Sequence, residues 1–192
     1  MIVFKKYRKC FFVFLFGFLF TVGSVIMPTA QAKSTISLNY KKATILTGET
    51  LKLSLSFNSD KVKWSSSDKT VAKVSQTGKV TAKKVGFAKI TAKVNNKKYT
   101  CKIKVEKPKV YGKSFILAPP TKFLLNIANT TLPIEWKSKD TTIAKVSSKG
   151  VVTAVSTGVT TITAKVSKKT FKFKISVASS ISYTDGRIFV DE

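Results

Sequence analysis

The sequence predicts an all-β protein, two tandem sandwiches behind an export segment, and three observations carry that expectation. The chain repeats itself at a fixed interval, it alternates apolar and polar residues, and its first 32 residues are patterned unlike the rest. The repeat opens as VKWSSSDKTVAKVSQTGKVTA at Val62 and returns as IEWKSKDTTIAKVSSKGVVTA at Ile134, 72 positions later. From Trp64 to Val105 against Trp136 to Val177, 22 of 42 positions are identical without a gap. A unit of that length is too long for a helical solenoid and suits a small domain that folds alone and is strung in tandem.

At the N-terminus, Lys5, Lys6, Arg8 and Lys9 form a cationic head and Phe11 to Met27 an apolar stretch. Ala30-Gln31-Ala32 follows after Pro28. That order is a secretory signal peptide over residues 1–32, which places the protein outside the cell or at its envelope. The alternative is an uncleaved membrane anchor, since the stretch lies near the lower limit for spanning a bilayer. Membrane contact is expected only through this segment. Cys10 precedes the apolar stretch, whereas a lipoprotein cysteine should come after it.

Residues 33–106 read as the first sandwich. TLKLSLSF puts Leu51, Leu53, Leu55 and Phe57 on one face of a strand, and Val62 and Trp64 continue that face on the next. KITAKV turns Ile90, Ala92 and Val94 inward, and KYTCKIKV does the same with Tyr99, Cys101, Ile103 and Val105. Strands with one apolar and one wet face pack as antiparallel sheets. Gly78 and Gly86, matched by Gly150 and Gly158, punctuate the strands where positive φ is most useful. Asn95-Asn96, matched by Ser167-Lys168, reads as a hairpin loop. Residues 107–178 form the second sandwich after the connector EKPKVYGK, whose one proline and one glycine suggest moderate stiffness. In the tail, 179–192, ISYTDGRIFVDE alternates on both sides of Asp185-Gly186, a two-residue hairpin signal.

The phrase W-S-S-S-D-x-x-V-A-x-V-x-x-x-G-x-V-T-A-x-x-x-G-x-A-x-I-T-A from Trp64, kept in spacing by the second copy with changes such as Lys137, Lys139 and Thr160, resembles the bacterial immunoglobulin-like domain of group 2. The likeness covers about residues 36–106 and 109–178, and in the second copy Pro119-Pro120 stands where the first has its Gly48-Glu49 turn. The resemblance implies small immunoglobulin-like sandwiches. It also implies a setting among bacterial and phage surface proteins, including adhesins, where such domains serve as spacers or binding modules. It names no ligand.

Enzymatic chemistry finds little support. The chain has no histidine, no nucleophile beside a base, no metal-ligand spacing and no phosphate-binding glycine loop, so no catalytic residue, cofactor or metal is expected. Asp68 and Asp140 occupy equivalent sites after the tryptophan strand and are read as acceptors for backbone amides in a tight turn. Calcium would need several oxygen ligands together, and the acids Asp185, Asp191 and Glu192 cluster only in the tail. Trp64 and Trp136, in phase with Val62 and Ile134, are expected in the core rather than as sugar platforms. Cys101, the one cysteine after the export segment, corresponds to Phe173 in the second copy and is expected to be a small buried hydrophobe.

Charge is the unexplained feature. There are 35 lysines and arginines against nine acids, a net charge of +26; with the four cations of residues 1–32 removed, +22 remains. Lys89, Lys93, Lys102 and Lys104, with Lys165, Lys172 and Lys174, fall on the wet faces of neighbouring strands and are the candidate binding residues for an anionic polymer. The expected partner is an anionic cell-wall polymer, such as a teichoic acid, or an anionic glycan, and a protein partner is also admitted. Nucleic acid is disfavoured because the protein is exported and has no aromatic stacking motif. The competing reading is a spacer or accessory subunit without a ligand, its lysines serving solubility and blocking edge pairing.

Overall fold

The computed structural model describes residues 35–56, 61–184 and 187–191, the stretch from 180 onward by its backbone. The signal segment 1–32 lies outside the described residues. Among those residues the chain is all β, as the alternation predicts.

In the first repeat seven strands form: β1 (Lys42–Leu46), β2 (Thr50–Lys52), β3 (Lys63–Ser66), β4 (Ala72–Val74), β5 (Lys79–Ala82), β6 (Gly86–Val94) and β7 (Lys97–Glu106). They make a four-stranded sheet, β1-β7-β6-β3, and a three-stranded sheet, β2-β5-β4. β1 runs parallel to β7 and the remaining pairs are antiparallel. The inward residues of both sheets meet in one core, in which Leu53, Val80, Ile90, Cys101 and Ile103 are fully buried. Burying a side chain of the Val, Leu or Ile type contributes about 1.5–3 kcal/mol.

The predicted strand from Leu51 to Phe57 is interrupted. β2 ends at Lys52, the Leu53 amide donates to the Gly78 carbonyl at 2.9 Å, and Leu55 then bridges to Leu38. Asn39 holds this switch of partner. Its side chain accepts from the Ser54 amide and donates to the Lys52 carbonyl, both at 3.1 Å. Unbroken alternation in the sequence does not reveal that a strand changes partners halfway. Phe57 lies outside the described residues.

The second repeat rebuilds this plan 72 positions on. Its strands are β8 (Lys109–Val110), β9 (Ser114–Leu117), β10 (Lys122–Leu124), β11 (Ile127–Ala128), β12 (Ile134–Ser138), β13 (Ala144–Val146), β14 (Val151–Ala154), β15 (Gly158–Val166) and β16 (Lys169–Val177). The sheets are β12-β15-β16-β9 and β10-β14-β13, with β8 paired to β11 where the first repeat has its Leu38–Leu55 bridge. Despite Pro119-Pro120, the first turn is conserved in its bonds: the Thr121 amide donates to the Ala118 carbonyl at 2.8 Å, as Glu49 does to Leu46 at 2.9 Å.

Two turns show why the motif repeats its glycines. Gly78 and Gly150 have φ of 81° and 82°. A Cβ on Gly78 would stand 2.8 Å from the Trp64 ring and collide with the Leu53 carbonyl oxygen. On Gly150 it would stand 2.9 Å from the Trp136 ring and 2.7 Å from the Leu125 oxygen. The hairpin loops also match: Asn95 and Asn96 take positive φ between Val94 and Lys97, and Ser167 does so between Val166 and Lys169. In the tail, β17 (Ser180–Thr184) and β18 (Arg187–Asp191) pair antiparallel with Thr184 opposite Arg187; Asp185 and Gly186, the predicted turn, lie outside the described residues.

Candidate functional site

Strand register turns the lysines into rows. On the outer face of the first repeat, Lys42 on β1 stands opposite Lys102 on β7, which stands opposite Lys89 on β6. A second row runs Lys98–Lys93–Lys63 across β7, β6 and β3. All six are exposed. Neighbouring strands lie about 4.8 Å apart, so each row holds like charges at a spacing that costs stability unless an anion or salt screens it.

In the second repeat the lysines are interleaved. The positions matching Lys42, Lys102 and Lys89 are Ser114, Lys174 and Thr161; those matching Lys63, Lys93 and Lys98 are Glu135, Lys165 and Thr170. Lys172 faces Thr163, beyond which stands Lys137. The Lys165 ammonium lies 3.7 Å from the Glu135 carboxylate, an exposed pair of small energetic weight.

Lys104, predicted with the other face lysines, has a different situation. Its ammonium sits 2.6 Å from the Glu106 carboxylate and its side chain is 35% exposed. Glu106 in turn is buried and reaches into the second repeat. It accepts from the Thr131 amide and from the Thr131 hydroxyl, each at 2.7 Å. Burial alone would raise its pKa, but the bonds from Lys104, Thr131 and Thr130 outweigh burial and hold it at about 2, against an ordinary 4.5.

Glu49 makes a second tie. Its carboxylate accepts from the Leu46 amide at 3.0 Å, the Ser167 hydroxyl at 3.1 Å and the Lys168 amide at 3.1 Å. Its pKa is lowered: partial burial pushes it upward, and these bonds together with the Lys168 charge push it further down. The Lys169 ammonium donates to the Thr47 carbonyl at 3.0 Å, and Leu46, fully buried, packs into the core of the second repeat. The joint was not read from the sequence. The available signal was scarcity: with nine acids in the chain, Glu49 and Glu106 have no acidic counterpart 72 positions on, where Thr121 and Ala178 stand.

The remaining candidates lie in turns and against the cores. One Asp68 carboxylate oxygen accepts from the Thr70 amide, the Thr70 hydroxyl and the Val71 amide at 2.6–3.2 Å, and the Thr70 bonds above all lower its pKa. Asp140 repeats the arrangement with Thr142. These are the predicted turn bonds. Trp64 and Trp136 are half-buried against the two cores, Trp136 with its ring centroid 6.0 Å from Phe173. Cys101 is buried and its thiol pKa is raised by burial; Phe173 fills the matching place. Among the described residues no group of three His, Cys, Asp or Glu is gathered that could hold a metal ion. Asp185 and Glu192 lie outside the described residues, and Asp191 is described by its backbone.

Several solved surface proteins are similar to this chain over most of its length. The C-terminal 282-residue fragment of intimin, solved with the intimin-binding domain of its translocated receptor, is 17% identical over 74% of this chain and 63% of that one, with a TM-score of 0.48. Invasin, a bacterial integrin-binding protein, is 16% identical over 74% and 38%, TM-score 0.45. The surface-layer protein rSbsC(31-844) is 19% identical over 78% and 29%, TM-score 0.34. This chain therefore spans less than two thirds of each. No curated protein matches. The sequence profile of the bacterial Ig-like domain (group 2) matches residues 33–103 and 127–177, leaving out the β8, β9 and β10 strands that the structure nonetheless forms. With its duplicated tryptophan, glycine and aspartate turns and two matched segments, the chain belongs to the bacterial Ig-like domain (group 2) family.

Proposed function

We propose that this is an exported, non-enzymatic protein of the bacterial surface, held at anionic envelope polymers or glycans by the lysines of its outer sheet faces. The carrying observation is the pair of uninterrupted rows, Lys42–Lys102–Lys89 and Lys98–Lys93–Lys63. Solubility alone calls for mixed charge rather than like charges directly opposite one another. A polyanion laid across the rows would neutralise several lysines at once, and its binding would be strongly salt-dependent.

The test is a salt titration of the purified chain on cell walls, with and without their anionic polymers removed. Binding that falls steeply with salt and vanishes with the polymer supports retention; absence of binding at low salt would sink it. The spacer reading is favoured by one observation, the joint in which Glu49 and Glu106 fix one repeat to the next. A spacer requires that joint and requires no polymer.

A further inference from the structure

Phe87 interrupts the logic of the first repeat. It lies on β6 in phase with Lys89 and Lys93, on the wet face, and is 73% exposed although it is the largest apolar side chain of its strand. Register sets it opposite Lys104, which stands opposite Thr44. The row directly alongside is Lys42–Lys102–Lys89. Two residues along a strand span about 6.7 Å, so the ring and the cations lie within one small area. The surface there is concave. Phe87 borders a depression with Lys42, Thr44 and Lys102 on one side, and on the other the groove of the joint, lined by Lys107 and Asn129.

We infer that this patch is a binding site for an acidic polysaccharide, with Phe87 as the stacking platform for a sugar ring and Lys42, Lys102 and Lys89 as the partners of its acidic groups. The inference rests on the electrostatic reading proposed above and deepens it by giving the polymer a chemistry. An aromatic ring offers its face to the C–H side of a pyranose, a contact that phosphate chains without rings cannot make. Charge supplies attraction without discrimination; the ring supplies discrimination. A single-stranded nucleic acid is disfavoured because its bases call for successive aromatic platforms, and on this face the described strands β1, β7, β6 and β3 carry one exposed ring. The second repeat is an internal control. At the matching positions stand Val159, Ser176 and Ile116, beside Thr161, Lys174 and Ser114, so the ring is missing and two of three cations with it.

The test compares three polyanions on the full chain by titration at about 0.15 M salt: polygalacturonate, which is built of rings, inorganic polyphosphate, which has none, and single-stranded DNA. Phe87 is exposed on a strand, so Phe87→Thr keeps the strand propensity and is expected to fold. Expected is a loss of about tenfold in polygalacturonate affinity. Phe87→Trp should restore it, the salt slope should stay unchanged, polyphosphate affinity should be the same for all variants, and Val159→Thr should have no effect. Polyphosphate and polygalacturonate bound alike, with Phe87→Thr without effect, would overturn the site and leave electrostatic retention standing. A greater loss for DNA than for polygalacturonate would overturn the choice of polysaccharide. Binding of none of the three would overturn both readings together.

Discussion

Where the first repeat sets Lys42, Lys102 and Lys89 side by side, the second sets Ser114, Lys174 and Thr161. Where the first has Phe87 the second has Val159, and where the first keeps a small Cys101 in its core the second keeps Phe173. The turns show no such divergence: Asp68 and Asp140 accept the same local bonds, and Gly78 and Gly150 have nearly the same φ. Backbone geometry has therefore been held fixed while both faces of the strands, inner and outer, were refitted. The joint follows the same division. Leu46, Glu49 and Glu106 of the first repeat grip the second, and their counterparts Ala118, Thr121 and Ala178 are small and uncharged.

The largest way to break this comparison is in the cores. Phe173→Ala should destabilise by about 3–5 kcal/mol, while Cys101→Ala, which removes one sulfur atom, should cost about 1 kcal/mol. Urea unfolding of both variants measures this, and equal losses would show that the cores do not differ in how they are filled. Next come the shared turns. Gly78→Ala and Gly150→Ala should each lose about 1–3 kcal/mol, and by the same amount, because both force positive φ and press on a tryptophan ring. A difference well beyond that between the two variants would contradict the claim of fixed geometry.

The joint is expected to respond to acid. Glu106 has a pKa of about 2 when folded and an ordinary value of 4.5, so it binds protons less readily folded than unfolded. Its contribution is complete above about pH 4.5 and is lost as pH falls from there towards 2. Glu106→Gln should lose about 1–3 kcal/mol at pH 7, because the charge-assisted bonds to Lys104 and Thr131 go, and its stability should fall less steeply across that acid window. Thermal melts from pH 7 to pH 2 test both halves, and an unchanged acid slope in the variant would remove Glu106 from the joint's energetics. The smallest expected effect sharpens the contrast of the faces. Lys102→Thr, relieving two like-charge neighbours, should stabilise the first repeat by about 0.5 kcal/mol at low salt and by nothing at high salt. Lys174→Thr, between Ser114 and Thr161, should change little at either; an equal response would mean that facing lysines do not feel one another.

Much of this was legible in the residues. A period of 72 and strict alternation determined the strands, their inward faces, the two hairpin loops and the aspartate turns, because each depends on neighbours close in sequence. Phe87 was not read from the sequence, although the phase that exposes Lys89 exposes it as well. Three things needed the folded chain. That Leu53 leaves one pairing and Leu55 enters another depends on Gly78 and Asn39, which approach only in space. That Lys42 completes a row with Lys102 and Lys89 depends on the register of β1 with β7, in which Lys42 meets a residue 60 positions on. That two glutamates tie the repeats depends on Thr131 and Ser167 arriving from the second repeat. Local pattern fixes which way a side chain points, and only long-range pairing fixes what it meets there.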